Sequence, residues 1–394
     1  MIELLAPAGN TKKMETAYHF GADAVYIGGA DYSLRAYANN FDINSLGEAV
    51  RYAHKLDKKI YAAVNIFPKN SDFGKIDEYL QELRNTNIDG VIVSDLGVIK
   101  LATSMGINTH ISTQANTTNA YACMVYKDLG ASRIVLAREV SINEIAEIRD
   151  KVDIELEAFV HGAMCISYSG RCLLSNYLAD RDSNRGECVQ ACRWQYKIRE
   201  VGRNGEELEL LEDSKGSYIL NSRDLNMIEH IKAMRDAGVC SFKIEGRMKS
   251  QYYVGNVINA YRRAIDNNCI ATSDLIDELY KNNHRGYTTG FYLGEYDRQD
   301  RKTSQSIGSY DFMAEVLESD GEYITVEQRN RFIVGDELEV LSSGVNHNKV
   351  INVCNMYDTC GNIVSDAKLV QQMLKIPCKL ILEPSDILRK KIEE

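Results

Sequence analysis

The first part of the chain repeats one pattern, in which a short apolar strand ends in a polar or glycine-rich corner and is followed by an amphipathic helix. Eight strands of this kind separated by helices, such as 11–20 and 142–149, favour a closed (β/α)8 TIM-like barrel over an open, doubly wound sheet. No G-x-G-x-x-G and no G-x-x-x-x-G-K-[ST] follows any strand, which argues against a dinucleotide-binding fold and a P-loop. The predicted strands are 3–6, 24–27, 60–65, 90–95, 108–114, 133–138, 154–160 and 241–245.

Polar side chains gather at the ends of these strands. The carboxyl ends of the strands form the active-site face of such a barrel. For any one of these side chains, hydrogen bonding to backbone groups is as good an explanation as a role in a functional site. The whole set together indicates a functional site. The set comprises Tyr26, Asn65, Asp95, Ser112, Gln114, Arg138, Glu139, His161, Glu245 and Arg247.

Two further regions depart from the strand and helix repeat. A long insertion, 162–239, separates the seventh strand from the eighth, and insertions of that size in a compact domain are usually functional. From Ser309 onward, short alternating segments are separated by glycine turns, which is typical of a small antiparallel β-barrel. We therefore predict a barrel domain over 1–300 that contains the insertion, and a small β-domain over 307–394.

Four of the ten cysteines lie close together in the insertion. Cys165, Cys172, Cys188 and Cys192 have the spacing C-x6-C and then C-x3-C within 28 residues. Thiolates packed so closely in a reduced compartment repel each other unless a cation lies between them. The spacing fits an iron-sulfur cluster and a structural zinc about equally well. The other six cysteines are scattered, and we interpret them as small buried hydrophobes.

Charge and hydropathy limit the possible classes of protein. The formal net charge is −10, which argues against nonspecific coating of nucleic acid, although a local basic patch is compatible with it. The sequence has no basic leader, and no apolar run approaches the roughly 18 residues that a membrane span requires. We expect a cytoplasmic protein that does not interact with membranes; the sequence leaves its oligomeric state open.

The cysteine region resembles a known family. The segment Glu157-Ala-Phe-Val-His161-Gly-Ala-Met-Cys165, followed by Cys172, is similar to the signature of the collagenase-like peptidases, family 32 of the peptidases of unknown type. The resemblance extends over nearly the whole chain and is strongest to the branch that hydroxylates tRNA. That branch is matched by the segments 3–9, 21–26, 32–35, 112–116, 222–225, 243–250 and 284–287.

The resemblance implies an enzyme that hydroxylates the wobble uridine of tRNA to 5-hydroxyuridine. It implies a 4Fe-4S cluster on Cys165, Cys172, Cys188 and Cys192, and prephenate as the hydroxyl donor, with no need for molecular oxygen. A relative of this branch that acts on a cytidine of ribosomal RNA is one alternative. A collagenase-like peptidase is another, although the sequence has neither an H-E-x-x-H helix nor a G-x-S-x-G elbow.

These implications give roles to the polar residues at the strand ends. Prephenate is a dicarboxylate, so arginines suit it, and Arg138, Arg247 and Arg35 are the candidates. A structural ion pair explains each arginine equally well, with Glu139 for Arg138, Glu245 for Arg247 and Asp31 for Arg35. An unstacked base requires aromatic faces and amides. The candidates for the base and for the chemistry are Tyr26, Asn65, Gln114 and Asn116, with His161 moving protons and Glu157 as a further catalytic candidate.

A basic patch is expected to hold the RNA. Basic residues concentrate in 193–203 and in a second group at the last barrel strand and after it. The second group comprises Lys243, Arg247, Lys249, Arg262 and Arg263. A solvated surface with balancing acids explains the first group about as well.

Overall fold

The structure of the protein, a computed structural model, describes residues 2–29, 32–33, 41–165, 167–179, 181, 183–185, 187–191, 223–294 and 307–392. Within them, eight parallel strands close into a barrel, because β7 pairs with β9 and β9 pairs with β1. This confirms the predicted (β/α)8 barrel. The barrel strands are β1 (Glu3–Pro7), β2 (Ala24–Gly28), β3 (Lys59–Val64), β4 (Gly90–Val93), β5 (Thr109–Ile111), β6 (Arg133–Val135), β7 (Glu155–Ala163) and β9 (Val239–Ile244).

Apolar side chains and helix caps explain the strand and helix repeat. All five residues of β2 are buried, as expected for a parallel strand covered on both faces. Helix α4 begins at Asp95, whose carboxylate accepts hydrogen bonds from the amides of Gly97 and Val98. Helix α6 begins at a capping box formed by Ser141 and Glu144. The helices are α1 (Thr11–His19), α2 (Ile43–Lys55), α3 (Phe73–Asn85), α4 (Leu96–Ser104), α5 (Ala120–Asp128), α6 (Ile142–Lys151), α7 (Leu174–Ala179), α8 (Ile231–Asp236), α9 (Gln251–Asp266) and α10 (Ser273–Tyr280).

The described parts of the insertion lie at the carboxyl end of β7. Strand β8 (Asp224–Asn226) pairs antiparallel with the last residues of β7, and β10 (Tyr287–Thr288) pairs parallel with β8. Helix α7 and short 3-10 turns at Tyr168–Gly170 and Ser183–Arg185 follow the first signature cysteine. The insertion therefore extends the sheet at the end of the barrel where an active site is expected.

The C-terminal segment forms an antiparallel half-barrel, which confirms the predicted class of this domain. Its sheet has the order β15-β14-β20-β11-β12-β19-β16-β17, and a second, two-stranded sheet pairs β13 with β18. The strands are β11 (Tyr310–Ser319), β12 (Tyr323–Gln328), β13 (Phe332–Ile333), β14 (Glu337–Leu341), β15 (Val350–Asn352), β16 (Met356–Tyr357), β17 (Ile363–Val364), β18 (Asp366–Ala367), β19 (Met373–Pro377) and β20 (Ile387–Lys391).

The chain divides into two compact units that do not follow chain order. The first unit contains Met1–Asn10, Asp23–Met248 and Arg285–Ser306. The second contains Thr11–Ala22, Lys249–His284 and Ile307–Glu394, so that α1, α9 and α10 are grouped with the C-terminal sheet. The predicted domain limits of 1–300 and 307–394 stay a prediction. Within the described residues, no helix is long and apolar enough to span a membrane.

Candidate active site

A cavity of about 140 Å³ lies at the carboxyl ends of the barrel strands. Strands β2 to β7, β9 and the insertion all contribute to its wall. Such a convergence of strand ends is the usual place for an active site in this fold. The cavity is lined by Tyr26, Ala63, Asn65, Ile92, Ser112, Thr113, Gln114, Val135, Arg138, Phe159, Cys165, Ser169, Cys172, Leu174, Ser175, Ser183, Cys188, Ala191, Lys243, Glu245 and Arg247.

Most of the predicted site residues line this cavity, but the described Asn116 does not. Arg35 and Cys192 lie outside the described residues. Glu157 and His161 are described but do not line the cavity. The predicted residues that the structure brings together there are Tyr26, Asn65, Gln114, Arg138, Arg247, Cys165, Cys172 and Cys188.

An amide and hydroxyl cluster forms one wall of the cavity. The Asn65 side-chain nitrogen donates to Gln114 Oε1 at 3.1 Å and to Ser112 Oγ at 3.4 Å. The Ser112 hydroxyl also donates to Gln114 Oε1. Gln114 lies in a 3-10 turn directly after β5, and the Arg171 guanidinium holds that turn by donating to the Gln114 carbonyl at 3.1 Å. These mutual bonds fix the orientation of a polar surface that can bond to a planar heterocycle.

Arg138 presents a cation to the cavity. Its guanidinium carbon lies 4.1 Å from the centre of the Phe159 ring, a cation–π distance. The alternative partner, Glu139, accepts instead from the backbone and hydroxyl of Ser169. Within the described part of the chain, the Arg138 guanidinium has no carboxylate partner, and its Nε is buried without a hydrogen-bond partner. The sequence alternative of an Arg138–Glu139 ion pair is therefore not found among these residues.

Arg247 is held by a close approach to the backbone of β2. Its side chain is 4% exposed, and Nη2 donates to Ser33 Oγ at 3.1 Å. A Cβ on Gly28 would lie 2.1 Å from that Nη2 atom and 2.5 Å from Ser33 Oγ. Only a glycine at position 28 leaves room for the guanidinium in this position.

We expect Gly28→Ala to displace the Arg247 guanidinium and to lower the free energy of unfolding by about 1 to 3 kcal/mol, the usual cost of overpacking. Denaturant unfolding measures this change. Gly74→Ala is the matched control, because a Cβ there would meet nothing within 4 Å. It should leave stability unchanged or raise it by about 0.4 to 1 kcal/mol. Equal midpoints for the two variants would contradict the assigned packing.

Three signature cysteines lie on the same cavity, and none forms a disulfide. The amide of Leu174 donates to Cys172 Sγ at 3.4 Å, and the Ser175 hydroxyl donates to Cys188 Sγ at 3.8 Å. Hydrogen bonds to sulfur stabilise a metal-bound thiolate and tune its metal. Among the described residues, no three His, Cys, Asp or Glu side chains converge on one metal-ion position. The thiols of Cys172 and Cys188, with their donors, and that of Cys165 fit a group held between the insertion and the barrel mouth, with Cys192 outside the described residues.

A buried ion-pair network lies beside the cavity and was not predicted from the sequence. Lys243 Nζ donates to Glu157 Oε1 at 2.7 Å, and Arg133 Nη1 donates to Glu157 Oε2 at 3.2 Å. Glu157 is fully buried, whereas Lys243 reaches the cavity wall. Burial lowers the pKa of the Lys243 amine, against the opposing effect of the Glu157 carboxylate. The signal in the sequence is strand alternation, which puts Ser241 and Lys243 on one face of β9.

His161, a predicted catalytic residue, does not line the cavity. Its side chain is 1% exposed, and its ring centre lies 5.4 Å from that of Tyr287. Its backbone carbonyl accepts from the amide of Glu245 at 2.9 Å. His161 therefore packs against β10 rather than facing the cavity.

Two other interpretations of the sequence need correction. Lys243 and Arg247 are each only 4% exposed, so they are not part of a surface patch that holds RNA. Two of the six scattered cysteines, Cys354 and Cys360, are exposed and not buried. The proposed basic residues of 193–203 lie outside the described residues.

Comparison with known proteins identifies relatives that match most of the chain. A relative from Bacillus subtilis strain 168, called tRNA hydroxylation protein P1, is 40% identical over 98% of this chain and 94% of its own length. The 23S rRNA 5-hydroxycytidine C2501 synthase of Escherichia coli K12 is 35% identical over 67% of this chain and 39% of its own length. A protein of Porphyromonas gingivalis strain W83 called collagenase is 32% identical over 74% of each chain.

Two family models match the two parts of the sequence. The model described as peptidase family U32 matches residues 9–302. The model described as the peptidase family U32 C-terminal domain matches residues 308–389. Together with the barrel, the half-barrel and the signature cysteines on one cavity, these matches show that the chain belongs to peptidase family U32.

Proposed function

We propose that this protein hydroxylates the wobble uridine of tRNA to 5-hydroxyuridine, with a 4Fe-4S cluster and with prephenate as the hydroxyl donor. The observation that carries the proposal is the meeting of three signature cysteines, a cation without a carboxylate partner among the described residues and an amide cluster on one cavity. Relatives named for hydroxylation of tRNA and of ribosomal RNA support RNA hydroxylation as the reaction class.

The cysteines supply the ligands in this proposal. Cys165, Cys172 and Cys188 would hold three corners of the cluster, and Cys192, next in the signature, the fourth. A four-iron cluster supplies one-electron chemistry when it is bound. The serine and backbone donors at Cys172 and Cys188 hold the thiolates in position and adjust the charge on sulfur.

The two arginines on the cavity bind the carboxylates of prephenate. Arg138 is the stronger candidate, because its guanidinium lies on the Phe159 ring with no carboxylate partner among the described residues. Arg247 is fixed by Ser33 and Gly28 and offers a second guanidinium on the same wall. A planar guanidinium matches a carboxylate with two parallel hydrogen bonds.

The amide cluster receives the base. A uracil edge presents two carbonyls and one N–H, and the fixed array of Asn65, Ser112 and Gln114 offers both donors and acceptors. A base reaches this cavity only after it has left the anticodon stack. The hydroxyl of Tyr26 is already committed, because it donates to the Ile244 carbonyl at 3.0 Å, so Tyr26 contributes its ring rather than its hydroxyl.

Peptide hydrolysis is supported by the names of relatives, such as the Porphyromonas gingivalis protein called collagenase, and by no arrangement among the described residues of the cavity. A cysteine nucleophile requires a histidine within hydrogen-bonding distance. Cys165 lines the cavity, whereas His161 packs against Tyr287. These positions favour a ligand role for Cys165.

Purified protein kept under anaerobic conditions should convert uridine to 5-hydroxyuridine in tRNA only when prephenate is added. Arg138→Ala should fold and keep its iron, yet require about ten- to a hundredfold more prephenate, because a hydrogen bond to a charged group contributes about 1.5 to 3 kcal/mol. Mass spectrometry of digested tRNA measures the product. The control is Arg149→Ala, a half-exposed arginine paired with Asp153. Equal prephenate dependence of the two variants would remove Arg138 from the anion site.

A further inference from the structure

The proposed function leaves the Lys243 amine without a role. The side chain is 4% exposed and reaches the cavity wall, where it lies among aromatic rings. Its Nζ is 4.6 Å from the centre of the Tyr26 ring and 5.5 Å from that of the Phe159 ring. A primary amine in such a place is a nucleophile enclosed by apolar surface.

Hydrogen bonding leaves part of this amine available. An ammonium group has three N–H donors. Among the described residues its only acceptor is Glu157, at 2.7 Å. Glu157 is also bonded to Arg133 and Ser241, and Arg133 is shared with Glu3 and Glu155. The Glu157 ion pair leaves two of the three N–H donors of Lys243 without an acceptor among the described residues.

A second cation beside the Phe159 ring indicates the ligand. The Arg138 guanidinium lies 4.1 Å from the centre of that ring, on the same cavity as the amine. An amine and a guanidinium that line one cavity beside the same aromatic ring suit a molecule with a carbonyl group next to a carboxylate. That chemical class is the 2-oxo acids.

We propose that Lys243 forms an imine with the carbonyl carbon of a 2-oxo acid whose carboxylate is bound by Arg138. The inference rests on the proposed function in one respect, because prephenate carries a 2-oxo acid side chain. Lys243 and Arg138 would bind the 2-oxo acid side chain of prephenate. The ring of prephenate would then point toward the amide cluster and the cysteines.

The step needs no oxidant and no reductant. Glu157 takes a proton from the ammonium, and the neutral Nζ attacks the carbonyl carbon to form a C–N bond. The carbonyl π electrons pass to oxygen, which takes one proton from the attacking nitrogen and becomes a hydroxyl. Glu157 returns its proton to that hydroxyl, which leaves as water as the nitrogen lone pair forms the C=N bond of a protonated imine. Addition of water reverses the sequence. Desolvation favours the neutral amine that this step requires.

Borohydride reduction tests the inference on the protein itself. The full chain is incubated with prephenate, and separately with pyruvate, and is then treated with borohydride, which converts an imine to a stable secondary amine. Intact-mass analysis should show one adduct per chain, and peptide mapping should find it on Lys243. Lys243→Arg keeps the charge but forms no imine, and it should lose the adduct. Lys59→Arg, at an exposed lysine on β3, should keep it.

The outcomes separate this inference from the proposed function. An adduct on Lys243 in a protein that does not hydroxylate tRNA would support the imine and overturn the proposed function. A wild-type protein that hydroxylates tRNA but gives no adduct with either acid would overturn the imine. An adduct spread equally over Lys59 and other exposed lysines would also overturn it. The mapping on the wild-type chain keeps the test valid should Lys243→Arg fail to fold.

Discussion

Cys165→Ser protein purified under anaerobic conditions is expected to lose most of its iron, from about four atoms per chain for a complete cluster. Serine oxygen is a harder ligand than thiolate and binds iron-sulfur clusters poorly. Cys165 lies on the cavity with Cys172 and Cys188, so the remaining thiols would hold an incomplete site. Iron analysis and the visible absorption spectrum measure the loss, and hydroxylation of tRNA should disappear with it.

Cys354→Ser is the matched control for this variant. Cys354 is an exposed free cysteine in the C-terminal half-barrel, outside the signature. Its iron content, spectrum and activity should equal those of the unaltered protein. Full iron in Cys165→Ser, or zinc in place of iron in the unaltered protein, would rule out the cluster.

Glu157→Gln is expected to lower the free energy of unfolding by about 3 to 5 kcal/mol, the usual cost of removing one partner from a buried ion pair. Glu157 is fully buried and accepts hydrogen bonds from Lys243, Arg133 and Ser241. Glutamine keeps the shape but removes the charge, and its amide nitrogen has to face a cationic donor, Lys243 in one orientation or Arg133 in the other. Urea unfolding followed by circular dichroism measures the difference.

Asp153→Asn serves as the control for an exposed ion pair. Asp153 is paired with Arg149 at 3.0 Å, but its side chain is 88% exposed. An exposed pair of this kind is screened by water and contributes little. A Glu157→Gln protein as stable as Asp153→Asn would mean that the network inside the barrel does not stabilise the fold.

The barrel could be predicted because its strands are buried on both faces. Strands such as β2 and β4 are therefore uninterrupted apolar runs, and the helices between them show a different period. The half-barrel could be predicted from its glycine turns and alternating segments. The limits of one strand differ from the prediction: β5 ends at Ile111, whereas the predicted strand runs to Gln114, which lies in a 3-10 turn.

The candidate site was predictable where a residue simply follows a strand. Tyr26 lies on the cavity within β2, and Asn65, Gln114 and Arg138 reach it because they follow β3, β5 and β6. His161 does not reach it, because the register between β7 and β9 shifts between Phe159 and His161. Such an irregularity changes the face to which the following side chains point, so His161 does not share the cavity with Phe159. No sequence pattern identifies a bulge of this kind.

A side chain at a strand end can bond to a helix start or a turn instead of facing the cavity, and the sequence alone does not show which. Asp95 and Glu139 stand at strand ends like the cavity residues, but Asp95 caps α4 and Glu139 binds the Ser169 turn. The sequence predicts a surface position for Lys243, because its barrel partner, Glu157, is distant in the chain. Only the closure of the barrel between β7 and β9 brings these two residues together.

The most direct test of the central proposal is to restore the modification in a bacterial host that lacks its own enzyme for 5-hydroxyuridine. The gene for this chain is expressed there, tRNA and ribosomal RNA are purified separately, and their nucleosides are quantified by mass spectrometry. We expect 5-hydroxyuridine, or nucleosides derived from it, to return in tRNA, and the Cys165→Ser protein to restore none. Unmodified tRNA together with new 5-hydroxycytidine in ribosomal RNA, or no new nucleoside in either RNA, would contradict the proposed function.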